Sequence, residues 1–88
     1  MSTTAISAVV LRTPTVLAGQ VVGVAAHISP WVRLNVELCD GTGTITLRFM
    51  GRTEVPGIVP GCRLRVEGTP WMEGHTLIML NPLYEFVA

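Results

Sequence analysis

At 88 residues the chain makes one small domain that buries roughly 60–65% of the surface its unfolded form exposes, which excludes a second domain. Apolar residues make up 49% and charged residues 14%, which excludes disorder, and no apolar run approaches the roughly 20 residues a bilayer crossing needs, so no membrane partner is expected. Six Arg with no Lys balance six acidic residues, so there is no strong positive field of the kind that supplies most sequence-independent nucleic-acid affinity, and any such binding must come from a local patch.

In chain order, residues 1–13 read as a lead-in, 14–84 as a barrel and 85–88 as a tail. The lead-in has no basic region followed by an apolar stretch, so no secretion signal is expected and the expected location is the cytoplasm. Residues 4–10 fit either a short N-terminal helix or an extended segment. Val16 to Ile28 is a long apolar stretch interrupted by Gly19 and Gly23, consistent with one bent strand whose glycines allow a bulge or a barrel corner. Arg33 to Cys39 alternates polar and apolar residues with a period of two, so Leu34, Val36 and Leu38 point inward. Asp40-Gly41-Thr42-Gly43 supplies a tight reversal, and Thr44 to Met50 alternates in the same way, which makes a hairpin.

Gly51 to Gly61 is too rich in Pro and Gly for more than one helical turn. A fourth strand follows from Cys62 to Glu67. Met72-Glu73-Gly74-His75 then turns into a fifth, Thr76 to Leu80, which Asn81-Pro82 ends. Five strands with a long bent first one and a connector before the fourth predict an all-β closed barrel, because closure removes exposed edges. Cys39 and Cys62 lack metal-ligand spacing and are expected as free thiols in or near the core.

The string Glu37-Leu38-Cys39-Asp40-Gly41-Thr42-Gly43-Thr44-Ile45-Thr46-Leu47 resembles the hairpin of the OB-fold family that includes tRNA anticodon-binding domains and the wedge domain of the RecG helicase. Gly19-Gln20-Val21, Pro60-Gly61 before Leu64-Arg65-Val66-Glu67-Gly68, and Asn81-Pro82-Leu83-Tyr84 extend the resemblance over residues 17–84. The chain is most similar to small stand-alone actinobacterial OB-fold proteins. The resemblance implies a five-stranded OB-fold Greek-key barrel and nucleic-acid binding. It departs from the pattern at Val22, Gly23, Val24 and Ala25, where a basic residue would help grip phosphate.

OB folds bind through the face of the second and third strands and through the loops joining strands one to two and four to five. Trp31 and Trp71 are expected in those two loops, either stacking on bases or plugging the barrel ends. Arg33, Asn35 and Arg48 lie on the polar phase of the second and third strands. Arg33 and Arg48 have two readings, contact with phosphates and bases or cross-strand pairing with Glu37 and Glu67. Arg65, on the fourth strand, is a less central candidate. His27, His75 and the dispersed acids form no catalytic arrangement, so no enzyme, cofactor, metal or small-molecule substrate is expected. The expected partner is single-stranded DNA or RNA. The alternative is a protein partner or a second copy of the chain, suggested by the apolar tail Leu83-Tyr84-Glu85-Phe86-Val87.

Overall fold

The computed structural model describes residues 2–88, so Met1 of the lead-in lies outside the described residues. A 3-10 turn at Ile6–Ala8 precedes β1 (Thr15–His27), β2 (Arg33–Cys39), β3 (Thr44–Met50), β4 (Arg63–Gly68), β5 (Pro70–Glu73), β6 (Thr76–Leu80) and β7 (Leu83–Phe86). Among the described residues no helix is long and apolar enough to cross a membrane.

Seven segments stand where five strands were expected, because the fourth and fifth strands are each broken once. β4 runs into β5 through Thr69, and β6 runs into β7 through Asn81-Pro82. Both breaks adjoin a proline, which has no N–H to give a ladder. Asn81 adopts a left-handed φ of 46°. Its N–H donates to the Arg48 carbonyl at 2.7 Å, and its Oδ1 accepts the Met50 N–H at 2.9 Å. The break is therefore fastened to the end of β3. The segment expected as a tail from residue 85 contributes Glu85 and Phe86 to β7.

The hydrogen-bonded order is β5-β6-β3-β2-β1-β4-β7. This is an open sheet counted segment by segment, but its ends are joined through the chain. β5 pairs antiparallel with β6, and β4 with β7, so β4–β5 and β6–β7 run alongside each other as two interrupted long strands. β6 also lies parallel to β3, and β4 antiparallel to β1. The first strand carries the bulge expected near its glycines and serves two sides: Thr15 to Gln20 pair with β4, Gln20 to His27 pair with β2, and the register slips between Val21 and Gly23. Gly19 is required at the crossing, since a Cβ there would stand 2.6 Å from the Cys39 carbonyl oxygen.

Leu34, Val36 and Leu38 of β2 and Ile45 and Leu47 of β3 are buried with Leu17, Val21, Leu64, Val66 and Met79. Each such side chain contributes about 1.5–3 kcal/mol on leaving water. Ile6, Val55 and Ile58 join this core from outside the sheet. The lead-in resolves to the 3-10 turn, held by an Ile6 N–H to Asp40 Oδ2 bond of 2.9 Å and a Ser7 N–H to Thr42 Oγ1 bond of 3.2 Å. The connector after β3 contains turns and no helix. Cys39 and Cys62 are free and half-buried.

Candidate nucleic-acid interface

Residues opposite each other in a ladder share a face, so the register lays out the outer surface of β1, β2, β3, β5 and β6. One row across it runs Gly23, Glu37, Thr46, Ile78, Trp71. The next runs Ala25, Asn35, Arg48, Leu80, and a third His27, Arg33, Met50. The alternation that sent Leu34, Val36 and Leu38 inward thus sets Arg33, Asn35 and Arg48 together outside.

A cleft of about 410 Å³ opens over this face, lined by Pro30, Trp31, Arg33, Arg48, Met50, Glu73, Ile78 and Leu80. A neighbouring cleft of about 340 Å³ continues over Gly23, Ala25, His27, Asn35, Glu37 and Thr46. Trp31 is 64% exposed and Trp71 42% exposed, so neither plugs the barrel. Trp31 occupies the β1–β2 connection, as expected. Trp71 does not lie in a loop: it is the second residue of β5, opposite Ile78, because the fourth strand resumes after Thr69.

The arginines are held in different ways. Arg33 Nη1 donates to the carbonyls of Ser29 at 3.2 Å and Trp31 at 3.1 Å, so its charge also orders the loop that presents Trp31. Arg48 does not pair with Glu37 or Glu67, the partners of the cross-strand reading. Its Nε donates to Asn35 Oδ1 at 3.1 Å, and Nη1 and Nη2 donate to Glu73 Oε2 and Oε1 at 2.8 and 3.2 Å. The hydrogen bonds and charge of Arg48 hold the Glu73 carboxyl below the usual carboxylate range. Within the two clefts Arg33 and Arg48 are set against Glu37 and Glu73, so their formal charges balance, and Arg12 stands outside them over Trp71.

Arg65 is not brought to this cleft. It lies on β4 opposite Ala18 and Glu85, and its Nη1 reaches Glu85 Oε1 at 2.7 Å. A separate cleft of about 300 Å³ lies there, between Val16, Glu67 and Leu83. The sequence reading missed Arg12, whose guanidinium lies 4.3 Å from the centre of the Trp71 ring. Its N–H donates to the Pro70 carbonyl at 2.9 Å. The only local signal was the Thr13-Pro14 break behind it, which says nothing about a partner in β5.

Asp40 is committed to the hairpin turn. Partial burial works to raise its pKa and is outweighed by hydrogen bonds from the Thr42 hydroxyl and from the N–H groups of Ile6, Thr42 and Gly43, so the carboxyl sits below its ordinary value. Among the described residues no group of three or more His, Cys, Asp or Glu could hold a metal ion. The face offers one open indole, a second indole under an arginine, and fixed guanidinium groups. Such a set stacks on flat rings and pairs with anions.

No protein-family model matches the chain, and no curated protein matches it. Among solved structures it is similar to a chain from a replication protein A heterotrimer bound to ssDNA, with a TM-score of 0.70 and 17% identity over 94% of this chain. It spans 63% of the length of that chain. At this identity the likeness is one of fold, and it agrees with the strand order and hairpin described above: the chain is an OB-fold domain.

Proposed function

We propose that this domain binds single-stranded nucleic acid, DNA or RNA, across the β2–β3 face, with low affinity, little base preference and no catalysis. The observation that carries the reading is the cleft in which exposed Trp31 stands beside Arg33 and Arg48. Trp31 stacks on a base, which is worth about 1–3 kcal/mol and tolerates any base. Trp71 extends the platform with Arg12 above it, Asn35 offers its amide between the arginines, and Arg33 and Arg48 meet the backbone. Arg65 stays outside this path. The bound ssDNA of the similar structure supports the choice of ligand class, and the balanced charge supports low affinity, since few counterions are released. A cytoplasmic site of action fits two free cysteines, which reducing compartments preserve.

The test is fluorescence anisotropy of short labelled single strands of DNA and RNA at low and moderate salt, with Trp31→Ala and Trp71→Ala alongside. Saturable binding that weakens with salt and with Trp31→Ala supports the reading. Unmeasurable affinity at low salt sinks it.

A second reading, self-association, is favoured by β7. All four of its residues are exposed, with Leu83 71% and Phe86 50% accessible, and Tyr84 stacks edge-on between Phe49 and Phe86 at 5.7 and 6.0 Å. An apolar strand at a sheet edge suits a second protein chain. Sedimentation equilibrium decides it: a strict monomer at high concentration removes this reading and leaves the first untouched.

A further inference from the structure

Arg48 is a half-buried cation of the face, and its fork is already occupied. Asn35 takes its Nε, and Glu73 takes Nη1 and Nη2 together. Two parallel N–H groups of a guanidinium suit a carboxylate and a phosphate equally, because both present two oxygens at similar spacing. Glu73 therefore occupies a phosphate-shaped seat. The two partners differ in freedom: the Arg48 side chain is 17% exposed and the Glu73 side chain 59%. Asn35 retains Arg48 if the carboxylate leaves, whereas Glu73 ends β5 beside the Gly74 turn.

We propose that Glu73 is a built-in competitor, an acidic side chain that holds the Arg48 fork until a backbone phosphate of a single-stranded nucleic acid displaces it. This rests on the binding role proposed above for the same cleft, and it gives that role a means of keeping affinity low. Without the Glu73 charge, Arg33 and Arg48 would face Glu37 of the neighbouring cleft alone, and the two clefts together would become net positive.

The experiment compares wild type, Glu73→Gln, Glu73→Gln with Arg48→Met, and Glu85→Gln, using labelled oligothymidine across a salt series. Glu73→Gln keeps the shape and removes the charge. It is expected to tighten binding roughly 1.5-fold to fivefold at low salt, the scale of one charge pair on a partly exposed surface. The log–log salt slope should change by less than about 0.7, the value of one phosphate contact on a single strand, because the same Arg48–phosphate contact forms in both proteins once Glu73 is displaced. Adding Arg48→Met should abolish the gain. Glu85→Gln removes the same charge from the Arg65 pair on the other side of the barrel and should change affinity little.

Wild-type binding that Glu73→Gln leaves unchanged or weakens overturns the proposal while sparing the binding role. So does a gain that survives Arg48→Met or that Glu85→Gln reproduces. If neither wild type nor Glu73→Gln binds at low salt, the binding role falls and the competitor with it. Thermal melts of each variant show that the comparison is made between folded proteins.

Discussion

Arg12 places its guanidinium 4.3 Å from the Trp71 ring centre, so the two tryptophans of the candidate face are not equivalent. Trp71 meets solvent partly through an arginine, while Trp31 meets it directly. A cation over an indole at an exposed site contributes about 0.5–1 kcal/mol. Arg12→Ala should cost that much stability, lowering the melting temperature by roughly 2–8 °C for a domain of this size. In a Trp31→Phe background, where Trp71 is the sole tryptophan, the same change should raise acrylamide quenching of selectively excited tryptophan emission. Unchanged quenching would show that Arg12 does not cover the ring in solution.

The tryptophans should also separate affinity from stability. Trp31 lies in the β1–β2 connection with 64% of its surface exposed, so Trp31→Ala should shift folding stability by no more than about 0.5 kcal/mol. It should weaken oligonucleotide binding by about 1–3 kcal/mol. Trp71 belongs to β5 and carries Arg12, so Trp71→Ala should lower both. Melts and anisotropy titrations of the two variants test this together.

Asp40 links the hairpin turn to the lead-in, and its carboxyl is held below its ordinary value by the hydrogen bonds it accepts. A carboxyl depressed on folding adds stability that is complete above its unfolded pKa, about 3.9. That stability is lost as pH falls through the lower folded value. Melting temperature should therefore drop as pH falls below about 4, and Asp40→Asn should flatten that part of the curve. Asp40→Ala should cost about 0.5–2 kcal/mol at neutral pH, as the loss of a cap acceptor does. An identical acid limb in wild type and Asp40→Asn would remove Asp40 from this role.

Two glycines of β1 should respond oppositely. A Cβ on Gly19 would meet the Cys39 carbonyl oxygen at 2.6 Å, whereas one on Gly23 would find Glu37 Oε2 at 3.8 Å and nothing nearer. Backbone cannot yield as a side-chain tip can, so Gly19→Ala should cost at least about 1–3 kcal/mol. Gly23→Ala should fall within about 0.5 kcal/mol of wild type. Denaturant unfolding of the pair checks the difference.

The hairpin was legible because its cause is local. In Arg33–Cys39 and Thr44–Met50 each residue's side follows from that of its neighbour, and both strands have the bounds their alternation predicts. The same rule placed Arg33, Asn35 and Arg48 on one outer face. The fourth and fifth strands were harder, since the stretches after Glu67 and at Asn81-Pro82 read as ends. In the structure each interrupts a strand that continues, because the partner segment follows the same bend and keeps pairing beyond it.

What the sequence determined by itself was the β2–β3 hairpin with its inward residues, the long bent first strand and the fold class, since periodicity and turn chemistry are properties of consecutive residues. Tertiary structure decided how the site is wired. Parallel pairing sets β6 beside β3 and carries β5 with it, so Arg48 finds Glu73 across 25 residues of chain. It also brings the lead-in over Trp71 and leaves Trp31 open. Ion pairs and exposure depend on distances through space, and those exist only once non-adjacent strands have been set side by side.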